Sequence, residues 1–268
     1  MKKAFGSEFV YQAAALLVSI IVVHVLYITI VRPNADAILR AQDERVAAGE
    51  TFVPARSIYI VLKDWEQESC FILMFWAFAI MGYKGRTALR ERALLEQRIV
   101  NVSEGMSILP EDAREYARPI QALPEDVQRY LLPRTLLAAL QRFASTRNVQ
   151  DVSEAVKSIC DVEADRLDSE LAMIRYIAWA IPAIGFIGTV RGIGDALAQA
   201  YRAVEGDISG VTASLGVAFN STLIALLIGI VLMFVMHQLQ LLQERLVLDT
   251  HAYCDERLIR HMQVRGTP

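Results

Sequence analysis

The chain has 268 residues, of which 54% are hydrophobic and 21% charged, and its net charge is −3. A mean hydropathy of +0.33 is too apolar for an ordinary soluble domain, and the near-neutral balance excludes the basic footprint that nucleic-acid binding requires. Cys70, Cys160 and Cys254 lie far apart with no CxxC pair, so they offer neither a disulfide framework nor a metal site, and they fit a reducing compartment.

The first apolar run, Val10–Val31, follows Lys2 and Lys3. It exceeds the roughly 7–15 apolar residues of a signal peptide. Arg32 and Pro33 follow it in place of a small-residue cleavage site. Residues 1–31 are therefore expected to hold a retained transmembrane helix, about Gln12–Val31, that starts in the cytoplasm. His24 has two readings, a proton relay or a neutral imidazole hydrogen-bonded inside a bundle. The second is preferred, because no carboxylate shares its helix.

Residues 32–69 read as a polar periplasmic connection punctuated by Pro33, Gly49 and Pro54. It contains a short surface helix over Asn34–Ala48 and an amphipathic stretch, Tyr59–Glu68, that runs towards the next span. The second span, Cys70–Tyr83, is short and bracketed by Glu68 and Lys84. Lys84, Arg86, Arg90, Arg92 and Arg98 follow it, a positive-inside signature on the same side as Lys2 and Lys3.

Residues 84–171 are expected to form a cytoplasmic helical region broken at Gly105, Pro110, Pro119, Pro124 and Pro133. Pro110-Glu111-Asp112 and Pro124-Glu125-Asp126 suit helix N-termini, where proline is tolerated and acids complement the dipole. Val149–Ile181 contains no glycine or proline and reads as one long helix. Its acids Asp161, Glu163, Asp165, Asp168 and Glu170 lack the spacing and glycine of a calcium loop and read as a solvated face.

Residues 172–236 carry two long apolar helices, Ile174–Ala200 and Gly210–Met236, joined by a connection with Glu205, Gly206 and Asp207. Small and hydroxyl residues recur on each at helical spacing: Gly185, Thr189, Gly192 and Ala196 on one, and Ser214, Ala218, Ser221 with Thr222, Ala225 and Gly229 on the other. Such stripes let membrane helices approach closely. Ile187, Leu223, Leu226 and Leu227 point elsewhere, towards lipid or other helices. Residues 237–268 continue as a cytoplasmic C-terminal helix that ends at a frayed Gly266-Thr267-Pro268. The fold class is thus an all-α membrane protein with four transmembrane helices, long cytoplasmic helical extensions and both termini inside.

No nucleophile–base set is visible, nor GxSxG, HExxH or a Walker pattern, so the chain is not expected to be an enzyme or to need a cofactor or metal. The glycine-rich Gly188–Gly194 has no preceding strand and sits in an apolar helix. Arg191, inside the third helix, has Asp195 one turn away; snorkelling or an i,i+4 pair accounts for it, and a gating role is the sharper alternative. The hydroxyls of Thr189, Ser221 and Thr222 suit contact with a passing ion or its water, and equally suit helix–helix hydrogen bonding. Neither helix carries an acid at depth, so a proton path here would take its carboxylate from another chain.

The stretch from Ile181 to Ile193 (IPAIGFIGTVRGI) resembles the third-helix motif of the MotA/TolQ/ExbB ion-channel subunits, and Leu215–Leu226 (LGVAFNSTLIAL) resembles their last-helix motif. The resemblance spans about Val149–Arg260, and four spans with a large cytoplasmic segment before the last two resemble MotA more than TolQ or ExbB. It implies a homopentamer in the bacterial inner membrane around two copies of a MotB/TolR/ExbD-like single-span partner, which supplies the membrane aspartate. Proton flow, or alternatively sodium flow, would then drive rotation and mechanical work in the cell envelope. Thr189 and Thr222 match the family's pore threonines, Ser221 stands beside the latter, and Gly185, Gly192, Ala218 and Ala225 line the pore face. Three departures are plain. Arg191 replaces an apolar or aromatic residue, the last helix lacks a glutamate often present in the ExbB/TolQ branch, and the cytoplasmic segment does not resemble the flagellar torque region. The competing reading is a non-conducting membrane scaffold whose small-residue faces serve packing only.

Overall fold

The computed structural model describes residues 2–48, 57–97, 99–100 and 106–264. Gly49, Pro54, Arg98, Gly105, Gly266-Thr267-Pro268 and the side chains of Lys2 and Lys3 lie outside the described residues. Among the described residues the chain is all-helical, with no strand and a single isolated bridge between Ile108 and Met262. They divide into two compact units, one comprising Met1–Gly82 and Met173–Met236, the other Tyr83–Ala172 and His237–Pro268.

The first unit opens with α1 (Lys2–Leu26), which passes through a π-helical turn (Tyr27–Val31) into α2 (Arg32–Ala47). Pro33 was expected to end the span, yet the helix continues through it. Proline removes one backbone donor, and the widened turn just before it absorbs the mismatch, with the Arg32 N–H bonding back to the Tyr27 carbonyl. Ser19, Val23, Tyr27, Val31 and Ala35 form a buried stripe at four-residue spacing. Val23, Tyr27 and Val31 of that stripe pack against Leu62, Phe71 and Ile72. Two polar tethers hold the same pair of segments: the Trp76 indole donates to the Gln12 carbonyl at 2.9 Å, and the Tyr11 hydroxyl donates to Ala79 at 3.1 Å.

After α3 (Ile58–Leu62) the chain breaks at Lys63 and Asp64, so the amphipathic Tyr59–Glu68 does not run unbroken into the next helix. That helix, α4 (Trp65–Leu95), starts before Cys70 and ends well beyond Tyr83, with Glu66 and Glu68 in its first turn, where the dipole favours acids. Among the described residues, three helical stretches are long and apolar enough to cross a membrane: Phe9–Gln42, Val149–Ala198 and Ser209–His261. α4 is not among them, because its apolar segment is short and acids and bases close in from both ends.

The second unit is built on α5 (Ala113–Gln121), α6 (Glu125–Gln128), α7 (Leu131–Thr146) and α8 (Val149–Glu170). Ile120, Leu136, Leu140, Phe143, Val152 and Val156 form its core with Ile108 and Leu258. Asp112 and Pro124 occupy the N-cap positions of α5 and α6, at the two proline–acid starts, without a side-chain capping bond. The Glu91 carboxylate accepts from the Leu131 N–H at 2.9 Å and so caps α7; burial pushes its carboxyl above the usual range despite that bond. α7 closes on Arg147, which takes a left-handed φ of 52°, and Asn148 then caps α8 through the Gln150 N–H.

The acids of α8 do not all form a solvated face. Glu163 is buried and accepts from Arg134 at 2.8 Å, while Glu170 bonds Lys84 at 2.8 Å and Arg166 at 3.0 Å. Asp161, Asp165 and Asp168 are exposed. A helix turn of 100° per residue separates the two groups, which a list of acids does not reveal.

α9 (Ala172–Ala198) follows α8 after one non-helical residue, Leu171, so the long helix expected from Val149 is interrupted there. α10 (Ala200–Val204) and the exposed Glu205–Asp207 turn lead to α11 (Ser209–Arg257), a single helix of 49 residues. Asp207 starts it by accepting from both the N–H and the hydroxyl of Ser209, bonds that hold its carboxyl below the usual range. Phe143 has no exposed surface. Phe143→Ala should therefore destabilise the second unit by about 3–5 kcal/mol, read as a lowered denaturation midpoint of helical signal in detergent.

Candidate functional site

α9 and α11 meet through their small residues. Gly185, Gly188, Gly192 and Ala196 are buried on α9, and Ala218, Ser221 and Ala225 on α11. The approach is close enough to exclude side chains. A Cβ on Gly185 would lie 2.5 Å from the Ala225 Cβ, and one on Gly192 would lie 2.6 Å from the Ala218 backbone nitrogen. Backbone cannot yield as a flexible side chain can, so these glycines set the helix separation. Ile187, Leu223, Leu226 and Leu227 are exposed on the opposite faces.

This proximity brings the three hydroxyls together. Thr189 and Thr222 share a hydroxyl–hydroxyl hydrogen bond. Both also reach the Gly185 and Ala218 carbonyls, at 3.2–3.4 Å. Ser221, 1% exposed, donates to Ala218 at 3.0 Å and lies 3.4 Å from the Gly185 carbonyl. Each hydroxyl carries one proton, so several of these contacts are alternatives that rotation can exchange. The seam is a polar line in an apolar helix pair. Gln199 extends it by donating to the Ser214 hydroxyl at 3.0 Å.

The sequence reading missed the acid that joins this seam. Glu66, in the first turn of α4, has no exposed surface. Its carboxylate receives a two-pronged bond from Arg191, with Nε at 2.6 Å and Nη2 at 2.9 Å. Asp195, the partner expected from i,i+4 spacing, is farther from the guanidinium, at 3.8 Å. A Cβ on Gly188 would meet the Ser221 Cβ at 2.5 Å and the Glu66 Cγ at 3.1 Å, so Glu66 and Ser221 converge over that glycine. Removing the guanidinium would leave the buried Glu66 carboxylate without its partner, a costly state for a charge away from water.

Two residues on, Glu68 accepts from His24 Nδ1 and from Arg32 Nη2, both at 2.6 Å. His24 is thus hydrogen-bonded inside the unit, to a carboxylate from another helix. The same turn also holds buried polar atoms with no hydrogen-bond partner, Asp64 Oδ2 and Gln67 Oε1. Glu66 and Glu68 were visible beside the apolar run, but their partners were not: Arg191 lies 125 positions from Glu66.

Residues 128–251, a little under half of the chain, match the model of the MotA/TolQ/ExbB proton channel family. The matched stretch takes in α8, α9, α10 and most of α11, hence all three hydroxyls and Arg191, whereas Glu66 and Glu68 fall outside it. No curated protein and no solved structure matches the chain. This match and the three helical stretches among the described residues that are long and apolar enough to cross a membrane both support a membrane protein.

The packing carries its own test. Gly192→Leu should separate α9 from α11 and lower the thermal midpoint, whereas Gly194→Ala, where a Cβ meets nothing within 4 Å, should leave it within about 0.5 kcal/mol of the parent.

Proposed function

We propose that this chain is the channel-forming subunit of an ion-motive-force-driven stator in the bacterial inner membrane. Five copies surround two copies of a single-span partner of the MotB/TolR/ExbD type, whose membrane aspartate carries the ion past Thr189, Ser221 and Thr222. Ion flow then drives rotation of one part against the other and delivers mechanical work to the envelope. Protons are the favoured ion, with sodium the alternative.

The observation that carries this reading is the hydroxyl seam, a line of exchangeable hydrogen bonds within a helix pair that matches a proton channel family. In this reading α4 crosses the membrane as a fourth span through Cys70–Tyr83. Residues 84–171 and 237–268 then lie in the cytoplasm with both termini, and residues 32–69 lie in the periplasm. The exposed apolar residues of the first unit, including Leu17, Ile21, Val190, Phe219 and Phe234, then face lipid or neighbouring subunits.

One observation favours the scaffold reading. Every hydroxyl of the seam already has an acceptor within the helix pair, so packing alone accounts for the polarity. Native mass spectrometry of the gently extracted complex separates the two, since the channel requires a single-span partner with a membrane acid and the scaffold does not. On the channel reading, Thr222→Val, which keeps the shape and removes the hydroxyl, should lower ion-driven output while leaving the mass of the complex unchanged. Unaltered output would remove Thr222 from the mechanism.

A further inference from the structure

Arg191 poses an electrostatic problem for any cation path along the seam. A guanidinium is charged at every physiological pH, and a fixed positive charge lining a narrow path lowers the local concentration of cations. Glu66 answers it from a different helix. We infer that Glu66 is the charge-compensating, positioning residue of the ion pathway: its carboxylate cancels the Arg191 charge and holds the guanidinium in place, leaving Thr189, Ser221 and Thr222 open to cations. The inference rests on the ion-pathway reading above.

Three features of the geometry carry it. The carboxylate is the fixed member of the pair, with no exposed surface, whereas the Arg191 side chain is 35% exposed. Its two oxygens bind Nε and Nη2 of the guanidinium, a planar fork that fixes orientation as well as charge. Its stem passes over Gly188 beside Ser221, so the acid's side chain packs against the seam.

The surrounding charges do not duplicate this role. Asp195 reaches Arg191 only at 3.8 Å and is itself largely exposed, and Asp64 adds a more distant negative charge. Glu68, on the next turn of the same element, is taken up by His24 and Arg32. Cys70 also lies close enough to feel the Glu66 charge, and its thiol is turned to the Ile181 carbonyl.

The test uses the complex with its copurifying partner, reconstituted in vesicles, with proton uptake followed by an entrapped pH dye under an imposed gradient. Wild type, T222V, E66Q, R191Q and the E66Q/R191Q double variant are compared after native mass spectrometry confirms equal assembly. E66Q exposes the guanidinium and should cut proton flux roughly tenfold or more. Removing both charges in E66Q/R191Q should restore most of it, a rescue that a merely structural ion pair does not produce. If E66Q does not assemble, E66Q/R191Q, which removes both charges, carries the test and should conduct close to wild type.

With T222V impaired, wild-type flux in E66Q overturns this inference alone. A double variant as inactive as E66Q also overturns it, because the carboxylate would then be needed for itself and not for Arg191. Wild-type flux in T222V overturns the pathway reading, and this inference falls with it.

Discussion

The first unit depends on how closely α9 and α11 approach. Gly185, Gly188 and Gly192 present bare backbone to α11, and any Cβ there would collide with Ala225, Ser221 or Ala218. Only at that separation can a threonine hydroxyl on one helix reach a carbonyl on the other, as Thr189 reaches Ala218 and Thr222 reaches Gly185. Small side chains thus do two jobs: they set the spacing, and by setting it they bring polar groups into range in a setting that offers few other partners.

Charge is handled by pairing in both units. Glu66 with Arg191, and Glu68 with His24 and Arg32, satisfy the buried acids of the first unit. Glu163 with Arg134, and Glu170 with Lys84, do the same in the second. A buried ion unmatched by a partner is far costlier than a matched one, so these pairs are strong constraints on which helices can lie side by side. They also explain why the acids of α8 split between buried and exposed faces, and why a short apolar segment in α4 tolerates an acidic first turn.

The helices themselves were legible in advance, since long apolar runs and 3.6-residue spacing are local properties. So were the small-residue stripes, the hydroxyls at positions 189, 221 and 222, and the family motifs. Breaks were less so. Pro33 does not interrupt its helix because a π turn makes room for it, and Leu171 interrupts one although no glycine or proline marks the place. Arg191 was assigned its nearest neighbour in sequence, Asp195, while the structure gives it Glu66 as the closer and better-aligned partner.

The amino-acid sequence by itself determined the class of molecule, because hydropathy, residue size and helical period act over a few turns and need no knowledge of the partners. It carried the motifs by which residues 128–251 match the MotA/TolQ/ExbB proton channel family model, and it placed three hydroxyls on helical faces that could meet. Only the tertiary structure decided which buried charges neutralise one another. Ion pairing depends on distance in space, and the carboxylate that reaches Arg191 comes from a helix 125 residues away, beyond any local rule of spacing.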